Sequence, residues 1–339
     1  MIRFDNDYTR GMHPRILKRL TETNMEQTPG YGTDHYCESA ANHIKKACNN
    51  QEVDVHFMVG GTLANLTIIG ASLRPHEAVI APSSGHIFTS ETGAIEATGH
   101  KVLTIPTETG KITADQIHEI LKKPENVHAP KPGMIYLSQS TELGGIYTKA
   151  ELVEIKELAD RYDAPLFIDG ARLGQAMAAE ACDVTLEDMA ELCDVFYIGG
   201  TKVGALFGEA VVITNDKLKR EFRYLMKQRG GLFAKGRILG VQFEELFKDG
   251  LYFEVSKYAV DMAMKLKEAV LEAGLNLAYP AVTNQIFIEL SHTQSAKLSE
   301  KYAFIPGEKH KDHVVGRFCT DWSTLPEHVE ELTRDLKRL

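Results

Sequence analysis

Two apolar segments that each end in polar residues set the plan of residues 165–204. PLFIDGARLG precedes DVFYIGGTKVG, and each has the pattern of a short buried strand whose carboxyl end runs into a turn. The first turn carries Asp169 and Arg172, and the second carries Thr201 and Lys202. Ligands of an open α/β sheet bind in the crevice outside the carboxyl ends of its strands. We therefore expect a carboxylate, a guanidinium and an amine to converge on one small molecule.

This trio suits pyridoxal phosphate, whose aldehyde needs a lysine for a Schiff base and whose ring nitrogen needs a carboxylate to stay protonated. Lys202 and Asp169 each also have an ordinary structural explanation. An isolated lysine is most often a solvated surface group, and Asp-Gly after a strand is most often only a turn. Because Lys202 lies between glycines and follows the apolar DVFYI segment, we predict that Lys202 and Asp169 form a cofactor site.

Charge and length narrow the class of protein. The 339 residues suffice for one large core and a second, smaller domain. The formal net charge of -9 gives no basic footprint for nucleic acid or for an anionic membrane. No apolar run reaches the roughly 20 residues that span a bilayer, and MIRFDNDYTRG has no signal-peptide core, so we expect the mature protein to begin there, in the cytoplasm. The five cysteines show no CxxC spacing, which favours reduced thiols.

Strand and helix patterns alternate from about residue 53 to residue 200. Continuous Val, Ile and Leu runs indicate strands buried on both faces, so we predict an α/β fold with a mostly parallel sheet flanked by helices. We predict a helix across IFTSETGAIEATG, an antiparallel return strand within GALFGEAVVIT, and helices over 216–228, 233–247 and 252–273. NQIFIEL and VVGRFCT are typical of strands, and LPEHVEELTRDLKRL of a closing helix. The boundary between a large domain (1–250) and a small α+β domain (251–339) is predicted near residue 250.

A Gly-Gly-Thr turn at Gly60, Gly61 and Thr62 joins the strand pattern VDVHFMV to the helical pattern LANLTIIGASL. Free amides and the positive end of the helix dipole make such a turn a phosphate cradle, although many strand-glycine-helix junctions serve packing only. The turn matches neither the P-loop nor the dinucleotide-binding pattern. A single phosphate is therefore the expected ligand.

Other candidate residues lie at strand ends or inside strands. His86 follows strand AVIAP, where a ring stacks on a flat cofactor or moves protons near neutral pH. Arg172 and Arg317 are candidate anchors for a substrate carboxylate, although Arg317 within HVVGRFCT also suits an edge strand facing water. His310 and His313 lie in the charged segment GEKHKDH, which favours a solvated loop, and we predict no metal.

Two glycine-rich regions have open interpretations. KQRGGLFAKGR, residues 227–237, is either a solvated basic loop or a segment close to a phosphate. The N-terminal segments DNDYTRGMHP and TPGYGTDHYC are either frayed or lie across an active-site mouth or a partner subunit.

Several motifs occur together in the order typical of one family. FDNDYTRGMHP, GYGTDHY, GGTLANL, SSGHIFTSETGA, STELGGIY, FIDGARLG, IGGTKVGA, GGLFAKGR and VVGRFCT cover nearly the whole length. The chain resembles the L-threonine aldolases of the aromatic amino acid β-eliminating lyase and threonine aldolase group, which are pyridoxal phosphate enzymes of fold type I. The resemblance implies that fold, that cofactor and an assembly of two or four subunits.

The resemblance also implies roles for single residues. Lys202 would carry the cofactor, Asp169 would pair with its ring nitrogen, and His86 would stack on the ring. Gly61, Thr62 and Thr201 would hold the phosphate of the cofactor. Arg172, Arg317 and Asn6 would bind the substrate carboxylate. Residues that would reach a neighbouring subunit's site are Tyr31, Arg229 and Lys235. His86 is also the candidate base for the substrate's β-hydroxyl.

Three functions follow from this resemblance. The first is cleavage of L-threonine, L-allo-threonine and related β-hydroxy-α-amino acids to glycine and an aldehyde. The second keeps the cofactor but eliminates a leaving group from a cysteine-like or tryptophan-like substrate. The third is a non-catalytic scaffold on the same fold, which the lack of an appended DNA-binding segment disfavours.

Overall fold

A seven-stranded sheet forms the centre of the computed structural model, which describes the backbone of residues 1–339 and every side chain except those of Glu308 and Lys309. The strands in chain order are β1 (Ile2–Arg3), β2 (Asp54–Met58), β3 (Glu77–Pro82), β4 (Val102–Ile105), β5 (Lys131–Ser138), β6 (Leu166–Asp169), β7 (Val195–Gly199), β8 (Glu209–Ile213), β9 (Gln285–Ser291), β10 (Tyr302–Ala303), β11 (Ile305–Lys309) and β12 (His313–Cys319).

The order of the central sheet is β2-β8-β7-β6-β5-β3-β4. Strand β8 runs antiparallel to both of its neighbours, and the other pairings are parallel. This confirms the mostly parallel sheet and the return strand within GALFGEAVVIT. All residues of β6, β7 and β8 are buried, as expected for strands covered by helices on both faces.

The helices in chain order are α1 (Pro14–Thr23), α2 (His35–Ala47), α3 (Gly61–Ser72), α4 (His86–Thr89), α5 (Ala114–Leu121), α6 (Lys149–Arg161), α7 (Leu173–Met177), α8 (Leu186–Leu192), α9 (Asp216–Lys219), α10 (Phe222–Gln228), α11 (Arg237–Phe247), α12 (Leu251–Glu272), α13 (His292–Ser299) and α14 (Pro326–Leu336). Within the described part of the chain, none of them combines the length and the apolar character needed to cross a membrane.

Capping side chains explain where several helices begin. In each capping box an N-cap hydroxyl accepts a hydrogen bond from the backbone amide of the residue three positions later. The side chain of that later residue accepts a hydrogen bond from the N-cap backbone amide. The helices that begin in this way are α5, α6, α8 and α13, with Thr113, Thr148, Thr185 and Ser291 at the N-caps.

Three predicted helices are wrong in part. The helix predicted over 233–247 begins only at Arg237. The segment IFTSETGAIEATG contains only the single-turn helix α4 and a 3-10 turn at Glu96–Thr98. Thr92 and Gly93 have φ angles of 54° and 73°, a left-handed backbone that a right-handed helix cannot include. The predicted helix over 216–228 is likewise split into α9 and α10, because Glu221 has a φ of 57°.

A smaller antiparallel sheet of order β11-β12-β9 lies in the C-terminal part. Strands β9 and β12 and helix α14 confirm the predicted elements there. Helix α12 begins at Leu251 and contacts both α14 and α7, so it joins the two parts. The domain boundary near residue 250 stays a prediction. Phe4 packs on Tyr302 and Phe318 in the C-terminal core, which holds the N-terminal segment in place.

Candidate cofactor site at the carboxyl edge of the sheet

Asp169 and Lys202 lie at the same edge of the central sheet. Asp169 is the last residue of β6, and Lys202 follows the end of the adjacent parallel strand β7 by three residues. The turns after the two strands are joined, since the amide of Gly199 donates to the carbonyl of Gly170 at 3.0 Å. A Cβ at Gly170 would lie 1.8 Å from the carbonyl oxygen of Tyr197, so glycine is required for this approach.

Asp169 is buried and held in one orientation by three donors. Its Oδ2 accepts from the Tyr136 hydroxyl at 2.7 Å and from Asn65 Nδ2 at 3.2 Å. Its Oδ1 accepts from the backbone amide of Ala171 at 3.0 Å. Donors of this kind stabilise a carboxylate in its charged form and fix where that charge points.

Lys202 has the electrostatic surroundings of a reactive amine. Burial lowers the pKa of Lys202, and the positive charge of Arg172 lowers it further. The carboxylates of Asp7 and Asp169 oppose this shift only in part. A depressed pKa increases the fraction of neutral amine, which is the nucleophilic form. The Gln175 side chain holds the carbonyl of Lys202 at 3.1 Å and so fixes the backbone behind the amine.

His86 has a buried carboxylate behind its ring. Nδ1 of His86 lies 2.7 Å from Oε1 of Glu91, whose side chain is completely buried. Asn65 Nδ2 donates to the same oxygen at 2.7 Å. Asn65 therefore bridges the carboxylate behind His86 and that of Asp169. The hydrogen bond to Glu91 raises the pKa of His86, and burial offsets it in part.

Arg172 lies at the site, but its guanidinium is occupied by a residue of the N-terminal segment. Its Nε and Nη2 donate to the two oxygens of Asp7 at 2.7 and 3.0 Å. Asn284 Nδ2 donates to Oδ2 of Asp7 at 2.9 Å. Burial raises the pKa of Asp7, but the charges of Arg172 and Lys202, with hydrogen bonds from Arg172 and Asn284, outweigh it and lower this pKa to about 2. The Nε and Nη2 edge of Arg172 is therefore held in a buried ion pair, and Nη1 forms no hydrogen bond among the described residues.

Arg317 is a half-buried guanidinium with no carboxylate bound to it among the described side chains. It lies in β12, where Nη2 donates to the carbonyl of Asp5 at 3.0 Å and Nη1 reaches Gln285 Oε1 at 3.4 Å. Its Nε is buried and has no hydrogen-bond partner in the described structure. Asn6 follows Asp5 directly. These contacts show that the segment DNDYTRGMHP packs on Arg317 and Arg172 and is not frayed. Its position across an active-site mouth stays a prediction.

The first turn of α3 has free backbone amides. Gly60 precedes it without a side-chain cap, and Gly61 and Thr62 begin the helix. A Cβ at Gly61 would lie 2.9 Å from the Tyr197 hydroxyl, so glycine keeps this corner open. An uncapped helix N-terminus of this length suits a phosphate. Thr201, the third predicted phosphate contact, donates its hydroxyl proton to Glu209 Oε1 at 3.0 Å.

Three predicted residues lie apart from this group. Tyr31 and Lys235 are exposed on adjacent loops, where the amide of Tyr31 donates to the carbonyl of Ala234 at 3.3 Å. Arg229 packs on Gly70, near the end of α3 farthest from the glycine turn, and its Nη1 is buried without a partner in the described structure. No hydrogen bond or ion pair among the described side chains joins these three to Lys202 or Asp169.

Several residues of the site escaped the sequence analysis: Asp7, Asn65, Tyr136, Glu91 and Glu209. Signals for two of them were present. Glu209 is a charge inside the apolar segment GALFGEAVVIT, the same feature that drew attention to Arg317. Asn65 is a polar residue in an otherwise apolar helix pattern. Asp7 and Glu91 gave no local signal, because only the fold brings them to the sheet edge.

His310 and His313 lie at the turn between β11 and β12 with their rings stacked 4.4 Å apart. Two other side chains of GEKHKDH, Glu308 and Lys309, lie outside the described residues. Across the residues that are described, the structure has no group of three or more histidine, cysteine or acidic side chains that could hold a metal.

Comparisons with known proteins agree on the relationship. The family model for beta-eliminating lyases matches residues 6–298. The low specificity L-threonine aldolase of Pseudomonas sp. (strain NCIMB 10558) is 31% identical over 341 residues, which cover 98% of this chain and 96% of that protein. The structure of the Leishmania major threonine aldolase is 44% identical and superposes with a TM-score of 0.98 over 100% of this chain and 99% of that one.

A more distant structure shows the fold alone. The aspartate aminotransferase of Thermus thermophilus is 14% identical, has a TM-score of 0.74 and covers 100% of this chain and 91% of its own. The predicted fold type I is thereby confirmed. With a match that covers most of the chain and a relative above 30% identity, this protein belongs to the beta-eliminating lyase family.

Proposed function

We propose that this protein is a pyridoxal phosphate-dependent aldehyde-lyase that cleaves L-threonine, L-allo-threonine and related β-hydroxy-α-amino acids to glycine and an aldehyde. The observation that carries the proposal is that Lys202 and Asp169 lie at the same sheet edge. Lys202 has a lowered pKa, and Asp169 accepts hydrogen bonds from three donors. Relatives that match almost the whole chain are named as threonine aldolases.

The residues fit the cofactor. Pyridoxal phosphate supplies an aldehyde that joins to an amine and a protonated ring that accepts the electrons released when a bond at Cα breaks. Lys202 would provide the amine, Asp169 the partner of the ring nitrogen, and His86 a surface for the ring. Gly61 and Thr62 would hold the phosphate with their amides, and Thr201 would add its hydroxyl.

Arg317 is the proposed anchor of the substrate carboxylate. Its buried Nε without a partner is the free donor that a carboxylate needs. Asn6, on the segment whose backbone Arg317 already contacts, would add an amide donor. Arg172 would add its Nη1 donor to this anchor, because Asp7 holds only its Nε and Nη2. This anchoring would orient the Cα–Cβ bond for cleavage.

His86 is the proposed base for the β-hydroxyl. A carboxylate accepts hydrogen bonds and cannot donate them, so the contact with Glu91 places the proton of neutral His86 on Nδ1. Nε2 then has a free lone pair. In this role Nε2 would take the hydroxyl proton as the aldehyde leaves, and Glu91 would stabilise the charged ring.

An assay of products tests the reaction. The purified protein is supplied with L-threonine and L-allo-threonine, and glycine and acetaldehyde are measured. S-substituted cysteines are supplied in parallel, and pyruvate is measured. Equal amounts of glycine and acetaldehyde support the proposal. Pyruvate from the cysteines without any acetaldehyde would instead establish β-elimination, the alternative function.

We further propose an assembly of two or four subunits with active sites at the interface. Arg229 and Lys235 would serve the cofactor, and Tyr31 the substrate, of a neighbouring subunit. Exposure of Tyr31 and Lys235, and the unpartnered buried Nη1 of Arg229, support this. Mixing inactive Lys202→Ala chains with inactive Arg229→Ala chains should restore activity in the hybrid, since one site then has both wild-type residues. Light scattering distinguishes two subunits from four.

The proposed location is the cytoplasm. All five cysteines are free thiols in the structure, the form that a reducing compartment maintains. Fractionation of cells that produce the protein tests this location.

A further inference from the structure

Glu209 is a buried carboxylate beside the lysine that has no role in the proposed reaction. It is the first residue of β8 and is only 4% exposed. Its register partner in β2 is Met58, three residues before Gly61 at the start of α3. Glu209 therefore lies between the lysine turn and the proposed phosphate cradle.

Both oxygens of Glu209 receive hydrogen bonds from the lysine turn. Oε1 accepts from the Thr201 hydroxyl at 3.0 Å, and Oε2 accepts from the amide of Gly200 at 3.2 Å. The Thr201 oxygen in turn accepts from the amide of Gly208 at 3.0 Å. The Thr201 hydroxyl also lies 3.5 Å from the carbonyl oxygen of Gly208, a longer contact than the one to Glu209. Because a hydroxyl has one proton and accepts twice, the shorter, charge-assisted bond takes the only proton of Thr201 while Glu209 is charged.

Protonation of Glu209 would reverse the donor and acceptor in the hydrogen bond between Thr201 and Glu209 without moving a heavy atom. The carboxylic acid would donate from Oε1 to the Thr201 oxygen, which still has a free lone pair. The hydroxyl proton of Thr201 would then be available to another acceptor. Oε2 would keep its bond from Gly200. A single proton thus decides whether Thr201 can donate toward the site.

The charges around Glu209 favour this proton once an anion enters. Lys202 faces Glu209 from the turn after β7 and Asp169 from the end of β6. Tyr197 of β7 and Tyr252 of α12 are the other titratable groups close to it. Burial raises the pKa of Glu209, Asp169 raises it further, and Lys202 opposes both. A phosphate near Thr201 adds negative charge and raises the cost of an ionised Glu209.

We propose that Glu209 takes up one proton when the cofactor's phosphate binds, and that this proton reverses the hydrogen bond between Thr201 and Glu209 so that Thr201 donates to the phosphate. Glu209 is then a positioning residue that acts through Thr201. The inference rests on the proposed use of pyridoxal phosphate. The affinity of this site for the phosphate then depends on pH through Glu209 of β8.

The experiment measures binding of pyridoxal phosphate, and of pyridoxal as the phosphate-free probe, to the full-length protein stripped of cofactor. Absorbance titrations are run from pH 7 to pH 9, where the phosphate is a dianion. The ratio of the two affinities isolates the phosphate contribution. We expect this ratio to fall about tenfold over the range in the wild type, because protonated Glu209 becomes scarce.

Two variants test the route. Glu209→Gln keeps a donor toward Thr201 at every pH, so the ratio should change less than about twofold over the same range. In Thr201→Val, which lacks the hydroxyl, adding Glu209→Gln should change the ratio less than it does in the wild-type background, because only the direct repulsion between the Glu209 charge and the phosphate is then removed. Burial raises the pKa of Glu209 to about 8, so titration calorimetry in two buffers is run at pH 9, where Glu209 is mostly charged before binding. It should show uptake of close to one proton for pyridoxal phosphate in the wild type and none in Glu209→Gln.

Infrared difference spectra of the wild-type holoenzyme and its stripped form give a readout that needs no variant to fold. At pH 9, above the raised pKa of Glu209, a protonated-carboxyl band should appear on binding of pyridoxal phosphate. A ratio independent of pH, no proton uptake and no such band would overturn the proposal while leaving the cofactor assignment intact. Failure of pyridoxal phosphate to bind at all would instead overturn the proposed function.

Discussion

Nδ1 of His86 lies 2.7 Å from Oε1 of Glu91, and the same oxygen accepts from Asn65 Nδ2 at 2.7 Å. Through Asn65 the carboxylate behind the proposed base is joined to Asp169, the proposed partner of the cofactor ring. Residues from β6, α3 and the segment after β3 thus form one hydrogen-bonded network, buried except at His86. Within it, each polar group fixes the position of the next.

The first prediction concerns the pH dependence of activity. The hydrogen bond to Glu91 raises the pKa of His86. If neutral His86 is the base, activity rises with pH through this pKa. Glu91→Gln removes the charge that stabilises the protonated ring, so the acid limb of the kcat profile should move to lower pH. NMR titration of the His86 ring should show the same direction.

The matched control for this change is Glu96→Gln, an exposed residue of the same segment. It should leave the acid limb and the His86 titration unchanged. If Glu91→Gln changes neither the acid limb of the kcat profile nor the titration of the His86 ring, Glu91 does not raise the pKa of His86.

The second prediction concerns the buried ion pair of Asp7 with Arg172. Asp7→Asn leaves a buried guanidinium without its counter-charge, which should cost about 3 kcal/mol of unfolding free energy. Asp261→Asn, in an exposed pair with Lys257 on α12, is the control and should change stability little. Urea denaturation at pH 7 measures both. Equal stability of the two variants would contradict the prediction.

The same pair predicts the response of the wild type to acid. Because Arg172, together with the charge of Lys202 and a hydrogen bond from Asn284, lowers the pKa of Asp7 to about 2, charged Asp7 contributes stability that is fully present above the pKa of unfolded aspartate, about 4. This contribution is lost as pH falls from about 4 toward 2 and amounts to about 2 kcal/mol. Asp7→Asn should lack this part of the acid-induced loss, which denaturation curves between pH 5 and 3 would reveal.

The third prediction assigns the substrate carboxylate to Arg317. Arg317→Gln should lower kcat/KM for L-allo-threonine about 10- to 100-fold, because a charge-assisted hydrogen bond is lost. Glycine binding should weaken by a similar factor. Arg220→Gln, at an exposed position, should match the wild type. Unchanged glycine affinity in Arg317→Gln would place the carboxylate elsewhere.

The fourth prediction ranks the donors to Asp169. Asn65→Leu removes hydrogen bonds to both Glu91 and Asp169 and should destabilise the protein by about 2 kcal/mol. Tyr136→Phe removes one bond and should cost about 1 kcal/mol. Thermal unfolding and cofactor release compare the two. A larger effect from Tyr136→Phe would show that the bridge through Asn65 matters less than its position suggests.

The structural features that depend on local sequence pattern are predictable from the sequence. The alternation of apolar runs gave the parallel sheet, and the polar residues at strand ends gave Asp169, Lys202 and His86. The strand-turn-helix junction at Gly61 followed from the same pattern. These features are encoded within a few residues of one another, so periodicity reveals them.

What escaped prediction depends on distant contacts. Asp7 meets Arg172 across 165 positions, and nothing near either residue indicates the partner. The role of Arg172 as a carboxylate anchor stays a prediction, and the structure adds that Asp7 holds its Nε and Nη2. The predicted helix across IFTSETGAIEATG failed for another reason, since its apolar spacing was helical but Thr92 and Gly93 adopt left-handed backbone angles.

The central claim is that Lys202 holds pyridoxal phosphate through a covalent bond. Reduction of the purified, cofactor-loaded protein with borohydride, followed by digestion and mass spectrometry, locates the attachment. The account predicts a pyridoxyl phosphate mass on the peptide that contains Lys202 and on no other lysine. Attachment at a different lysine, or an unmodified Lys202 in protein that retains its visible absorbance, would contradict it.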